Sequence, residues 1–266
     1  MNNIANKRGS GWSITTIEEI SAEQMLAMVE FGTLNMQIGS GLSGLVNLST
    51  VSGANGTSNT GSTGDVTNGN WATVQATSTI NIVNNVTNTY YDAGKTAISY
   101  RGIENPWGNA WKVIGNMQIT GNASKRGGTP VYKAQTPIGT FVLLSLSFTV
   151  PNSSNWIAAF GYDEQFPWIF LPIESGGSAN STLPVGDYVW VSTNLNNTNT
   201  VMVGGHYSAK DSSGPFYYAF DNGGVGPSTS CRIMYTPQSN TSTAYRTNIE
   251  KWNSTFASFS EEVTSS

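Results

Sequence analysis

Apolar positions along the chain fall mostly into short runs broken by Gly, Pro and Asn, and the clearest of them alternates. Over Thr140–Val150, Val142, Leu144, Leu146, Phe148 and Val150 alternate with Leu143, Ser145, Ser147 and Thr149, which predicts a half-buried strand. Further short strands are expected at Trp156–Phe160, Trp168–Leu171, Tyr188–Val191, Val201–Val203, Phe216–Phe220 and Cys231–Tyr235. Upstream, Trp71–Tyr91 is rich in β-branched residues, with Ile80, Ile82 and Val86 on one period-2 face, and Gly94-Lys95 turns the chain into Thr96–Tyr100. A helix is predicted near Ala22–Met36, where Ser21 and Gln24 form a capping-box pattern ahead of Met25, Leu26, Met28 and Val29. The Gly39–Gly44 segment formally matches G-x-G-x-x-G, but it follows a helix and opens none, so it lacks the context of a nucleotide fingerprint. Val51–Gly69 has almost nothing to bury and reads as a long loop or arm. In the last segment Tyr245, Ile249, Trp252, Phe256 and Phe259 repeat at spacings of four and three, the narrow stripe of a helix seated on its own domain or on a partner.

These elements predict an α+β, β-rich fold of short antiparallel strands with long loops, one helix near each end. The expected organisation is an arm over 1–20, a domain over 21–236 with an insertion at about 51–91, and a helical extension over 237–266.

Composition narrows the classes of function. Of the 266 residues only 11% are charged, against about a quarter in ordinary soluble proteins, so neutral Ser, Thr and Asn keep the surface wet. Twelve basic residues against sixteen acidic ones, without a basic run, provide no electrostatic footprint for nucleic acid. One cysteine, Cys231, cannot form an intrachain disulfide, and one histidine, His206, cannot build a multi-His zinc site. No cofactor and no metal are expected. Met1–Gly11 carries neither a signal-peptide core nor a basic transit helix, and no apolar run reaches the length of a membrane span, so a protein made without classical export is expected.

Candidate chemistry is sparse. His206 has no Gly-x-Ser-x-Gly elbow beside it, and Cys231, in Cys-Arg-Ile-Met-Tyr, reads as a small buried hydrophobe in a strand. Asp163, Glu164, Glu174, Asp187, Asp211 and Asp221 are the carboxylates from which a glycosidase pair would be drawn, with Asp163-Glu164 expected in a solvated turn. Aromatics beside adaptable polar groups are richer, and a ligand face is expected at Asn194, Asn196, His206, Tyr207, Lys210, Asp211, Tyr217, Tyr218, Asp221 and Asn222.

Ala97–Lys112 (Ala-Ile-Ser-Tyr-Arg-Gly-Ile-Glu-Asn-Pro-Trp-Gly-Asn-Ala-Trp-Lys), Val201–Tyr207 (Val-Met-Val-Gly-Gly-His-Tyr), Gly214–Tyr218, Asp221-Asn222 and Ser230–Tyr235 (Ser-Cys-Arg-Ile-Met-Tyr) resemble, in order, the motifs of phage virion surface proteins with a C-type-lectin-like domain. The same order is similar to the formylglycine-generating-enzyme-like branch of that fold: a Gly-Asn-x-Trp segment, a Gly-Gly-Ser-Trp-like segment and a closing strand with Arg. Met25–Gly41 is similar to the helix that precedes this core in head-fibre and tail-adhesin proteins. The resemblance covers most of 20–236 and implies that Trp107, Trp111, Gly108 and Gly204-Gly205 define the fold. Enzymes of that branch use two active-site cysteines with a metal, and a chain with only Cys231 departs from them, so no enzymatic activity is expected.

The resemblance further implies a virion protein on the particle exterior, as head fibre, capsid decoration or tail adhesin. It would contact host-surface carbohydrate through the polar and aromatic loops, and other virion proteins or its own copies, as a homotrimer, through Tyr245–Phe259. The alternatives are a decoration or connector protein with no ligand, and a polysaccharide depolymerase using Asp163, Glu164 or Asp187.

Overall fold

The computed structural model describes residue 5 and residues 7–35, 71–75, 79–83, 86–90, 96–101, 103–122, 125–135, 140–180, 185–192, 198–207, 209, 212–221 and 228–235. The Gly39–Gly44 and Val51–Gly69 segments and the Tyr245–Phe259 stripe lie outside them. The chain divides into a small unit, residues 1–13 with 233–266, and a large one, Ile14–Arg232. In the small unit, β1 (Trp12–Ile14) forms a two-stranded sheet with β16 (Ile233–Tyr235), and the Trp12 ring, with the Arg8 guanidinium over it, lies 5.3 Å from that of Tyr235.

The large unit is β-rich with one described helix, as its pattern predicts. That helix, α1 (Ile17–Phe31), begins five residues before the expected start at Ala22 and ends well before Met36. Ser21 is an interior residue of α1, turned into the core with Ile17, Ile20, Gln24 and Ala27. No side chain of the helix caps its start; the Asn116 Oδ1 accepts from the Ile17 N–H at 2.8 Å, so the helix borrows its cap from the sheet. Glu18 fastens the same turn by accepting from Asn116 Nδ2 and the Tyr132 hydroxyl. Gly32, at φ +62°, closes the helix by donating to the Met28 carbonyl at 2.9 Å.

Strands β2 (Trp71–Gln75), β5 (Thr96–Tyr100) and β6 (Ile103–Glu104) make a three-stranded sheet, and β3 (Thr79–Val83) and β4 (Val86–Tyr90) make a hairpin. The main sheet is built from β7 (Trp111–Asn122), β8 (Lys125–Gln135), β9 (Phe141–Ser145), β10 (Asn155–Phe160), β11 (Pro172–Ser175), β12 (Tyr188–Val191), β13 (Asn199–Val203), β14 (Tyr218–Asp221) and β15 (Thr229–Ser230). Its order is β11-β10-β12-β14-β13-β7-β8-β9, with β15 alongside β7. The pairs β12–β14 and β15–β7 are parallel and the others antiparallel.

The alternation over Thr140–Val150 survives in burial from Leu144 onward, with Leu144, Leu146, Phe148 and Val150 inward, but only Phe141–Ser145 pairs as a strand. Beyond it the chain leaves the ladder through a bend and returns at one bridge, Gly128 with Val150. At the open edge, Phe141, Val142 and Leu143 are exposed. Trp168–Leu171 is not a strand; its residues fill the core from irregular backbone, with Trp168 edge-on to Tyr132 and Phe170 to Phe216. The Phe216–Phe220 and Cys231–Tyr235 strands begin two residues later than expected, at Tyr218 and Ile233.

The main core joins Ile17 and Ile20 of α1 to Trp107, Ile114, Ile119, Val201 and Phe216. A second cluster, Trp111, Met202, Tyr217 and Ala219, lies on the opposite side of the same strands, because successive residues of a strand point to opposite faces.

Candidate functional site

A pocket opens where two distant stretches of chain meet. Parallel pairing sets Thr229 beside Trp111 and Ser230 beside Lys112. Trp111 N donates to Ser228 O at 2.8 Å, and the Ser230 hydroxyl donates to Trp111 O at 2.9 Å. The segment leading into β7 is held from the other side by Gly108 N donating to Gly204 O at 2.8 Å, while Gly204 N donates to Tyr217 O at 2.9 Å. The resulting cavity has a volume of about 320 Å³ and is lined by Asn105, Asn109, Lys112, Ser230, Cys231 and Arg232, among others. Asn105 is held at φ +48° directly before Pro106, a conformation that a non-glycine residue adopts at a cost.

Lys112 is the unusual member. It is 5% exposed, and its Nζ has no hydrogen-bond partner. The alternation of β7 puts it on the face of Ile114, towards α1, where Glu23 and Glu19 approach with Arg232. Burial pushes the Lys112 amine down to about 7, helped by the Arg232 charge and opposed by Glu23. Burial pushes the Glu23 carboxyl up to about 7 against the pull of Lys112 and Arg232, and raises Glu19 as well. Gly204, at φ +96°, belongs to the same construction, because a Cβ there would sit 3.0 Å from Lys112 Nζ and 3.2 Å from the Pro106 carbonyl.

A second polar cluster is sealed inside the domain. Asp187 is 0% exposed; Phe216 N donates to its Oδ2 at 2.7 Å, and its Oδ1 has no partner. Desolvation raises its carboxyl to about 8, against the lowering effect of that hydrogen bond, so it is held protonated at neutral pH. Gln24 Nε2 donates to the Pro215 carbonyl at 2.7 Å and to the Tyr218 hydroxyl at 2.9 Å. A Cβ at Gly214 would overlap both oxygens of the Asp187 carboxyl. Gly214→Ala is therefore expected to cost about 3 kcal/mol in urea unfolding, a cost that shrinks by more than half in an Asp187→Ala background.

These placements correct the expected ligand face. Tyr218 is 0% exposed, and Tyr207 and Tyr217 are buried, so none of the three presents its ring to a ligand outside the domain. Tyr217 stands edge-on to Trp111 at 4.6 Å, and the Tyr218 hydroxyl is satisfied from α1. His206 is half-buried between Trp111 and Tyr207, and burial lowers its pKa. Asp221 is half-buried at the end of β14. Asn194, Asn196, Lys210, Asp211 and Asn222 lie outside the described residues, as do Tyr245, Ile249, Trp252, Phe256 and Phe259.

Among the carboxylates, Asp187 is sealed from any polymer, while Glu164 and Glu174 are exposed. Asp163 sits in no solvated turn. Its carboxylate accepts from the backbone N–H groups of Ser147 at 2.7 Å, Gln165 at 2.9 Å and Phe166 at 3.2 Å. Desolvation alone would raise its pKa, and these donors carry it below the usual value. Cys231 is half-buried on the pocket wall and precedes β16 instead of lying in a strand.

Sequence reasoning passed over Asn105, Asn109, Lys112, Arg232 and Glu23 as site residues. One signal was available: Lys112 shares the period-2 face of Ile114 in a strand whose neighbours are apolar, a position where a lysine is costly without a purpose.

Among the described residues no helix is long and apolar enough to cross a membrane, and no group of His, Cys, Asp and Glu is placed to hold a metal. Compared with models of known protein families and with curated proteins, the chain matches none.

Proposed function

We propose that the chain is a non-enzymatic virion surface protein of a phage, a head fibre, capsid decoration or tail adhesin built on a C-type-lectin-like domain. In this reading it stands on the particle exterior, meets host-surface carbohydrate, and attaches to other virion proteins or to copies of itself, as a homotrimer, through Tyr245–Phe259. The observation that carries it is the way the segments that resemble that family meet around β7. Gly108 donates to Gly204, Gly204 donates to Tyr217, and Ser230 lies alongside Lys112, so residues scattered over about 120 positions form one hydrogen-bonded unit. A scaffold role for them also fits the physics: Trp107 and Trp111 are buried anchors, and the glycines sit at positive φ.

The test is to purify particles that carry the gene and detect the chain by mass spectrometry and by immunogold labelling of intact virions. Exterior labelling is the expected result; a chain found only in the lysate, or inaccessible to antibody on intact particles, overturns the reading. Oligomeric state gives a separate prediction: the full chain runs as a trimer in light scattering and falls to a monomer when it ends at Pro237.

A ligand-free decoration protein is the second reading, and the open edge of the main sheet favours it. Phe141, Val142 and Leu143 are exposed there on β9, whose outer edge has no partner strand among the described residues, a surface suited to packing against a neighbouring shell subunit. Particles that retain the chain while the purified protein fails to bind host cells would decide for it.

A further inference from the structure

The pocket between the Asn105–Ala110 segment and Ser230–Arg232 is rich in donors. Arg232 contributes a guanidinium, and Asn105 and Asn109 contribute amides, while no carboxylate of the described residues lines it. Lys112 also lines it, with its amine almost fully removed from water and without a hydrogen-bond partner. A cation held in such a place acts through a low dielectric, so its field reaches the cavity with less screening than that of a surface lysine.

We propose that this pocket binds the oxyanion of an acidic polymer, either the carboxylate of a uronic-type sugar or a phosphate ester. Arg232, Asn105 and Asn109 contact the anion, and Lys112 acts behind them as a positioning charge. The proposal rests on the reading of the chain as a host-contacting surface protein, and it moves the ligand site away from the buried Tyr217 and Tyr218.

The charges facing Lys112 make the binding sensitive to protons. Glu23 of α1 approaches it from the helix side and Arg232 from the strand side, and Glu19 interacts in turn with Glu23 and Arg232. Burial pushes the Glu23 carboxyl up to about 7, so at neutral pH it presents less negative charge than an ordinary glutamate would. An anion entering the cavity favours the ammonium form of Lys112, whose amine otherwise titrates at about 7, so a proton is taken up with the ligand. Affinity therefore rises as pH falls from 8 to 6.

The purified full chain is titrated calorimetrically at low salt with glucuronate, with glycerol 2-phosphate and with neutral N-acetylglucosamine. Saturable binding of at least one anion and none of the neutral sugar is expected; the anion that binds identifies the source. Because glucuronate stays ionised throughout, its affinity reports the protein, and it should tighten about threefold or more from pH 8 to pH 6. Arg232→Gln should weaken binding about tenfold, the loss of one charge-assisted hydrogen bond, and Lys112→Met should both weaken it and flatten the pH profile. Failure of both anions to bind, equal binding of the neutral sugar, or unchanged affinity in a cooperatively melting Arg232→Gln protein overturns the proposal. If Lys112→Met does not fold, the half-exposed Arg232 still carries the test. Particles that display a chain unable to bind either anion remove the pocket and leave the virion reading intact. Binding by a chain missing from particles does the reverse.

Discussion

Asp187→Asn is expected to melt well above the parent protein at pH 9 and close to it at pH 4. The native carboxyl titrates at about 8 because it is buried, whereas in the unfolded chain it titrates near its ordinary value of 3.8. Between those two values the folded protein holds a proton that the unfolded chain releases, so stability is complete below about pH 4 and drains away as pH rises to 8. Above that the carboxylate is charged in both states and the loss stays constant. A shift of this size corresponds to roughly 6 kcal/mol, or a Tm difference of about 12 °C for a domain of this length. The amide keeps the acceptor for Phe216 N and has no charge to bury. A parent protein whose Tm is flat from pH 5 to 9 would show that Asp187 is ionised and partnered in the folded state.

Trp107→Ala is expected to cost about 4 kcal/mol, whereas Trp107→Phe costs less than half of that. Trp107 is among the largest fully buried side chains, and its ring lies 6.3 Å from that of Tyr100 in the main core. Its indole N–H has no partner, so Phe gives up packing but no hydrogen bond. The effect should also reach the pocket, because Trp107 anchors the stretch between Asn105 and Asn109. Urea unfolding of the two variants measures the difference; equal losses would place the worth of Trp107 in its N–H, and a loss under about 1 kcal/mol for the alanine would remove it as an anchor.

The parts of the fold that could be read in the sequence are those where burial follows a simple period. Trp156–Phe160, Tyr188–Val191 and Val201–Val203 are apolar runs bounded by turn residues, and each lies within a strand of the main sheet. The helix was legible but displaced, because its true start has no cap of its own: Asn116, a hundred residues away, supplies the acceptor, and Ser21 mimics a cap while pointing into the core. Trp168–Leu171 misled for a related reason, since an apolar run announces burial and says nothing of how the backbone satisfies its hydrogen bonds.

The site was harder to read. Tyr217 and Tyr218 have the composition of a binding loop, yet a tyrosine needs only one polar partner to be buried, and Gln24, from α1, provides it for Tyr218. Lys112 and Arg232 lie 120 positions apart, and their meeting depends on the parallel register of β15 with β7, which no local pattern encodes.

That register also bears on the order in which the protein is made. Strands β7, β8 and β9 follow one another and pair as neighbours, so this meander can form while the chain is still being synthesised. β13 reaches the other edge of β7 only after some eighty further residues, and β15 closes the pocket only once the chain has emerged to about Arg232. Until then one edge of β7 stands open and the charge of Lys112 lacks its wall. A ribosome stalled before Ser228 would therefore hold a nascent domain whose β7 still lacks its β15 partner and is exposed there to mispairing.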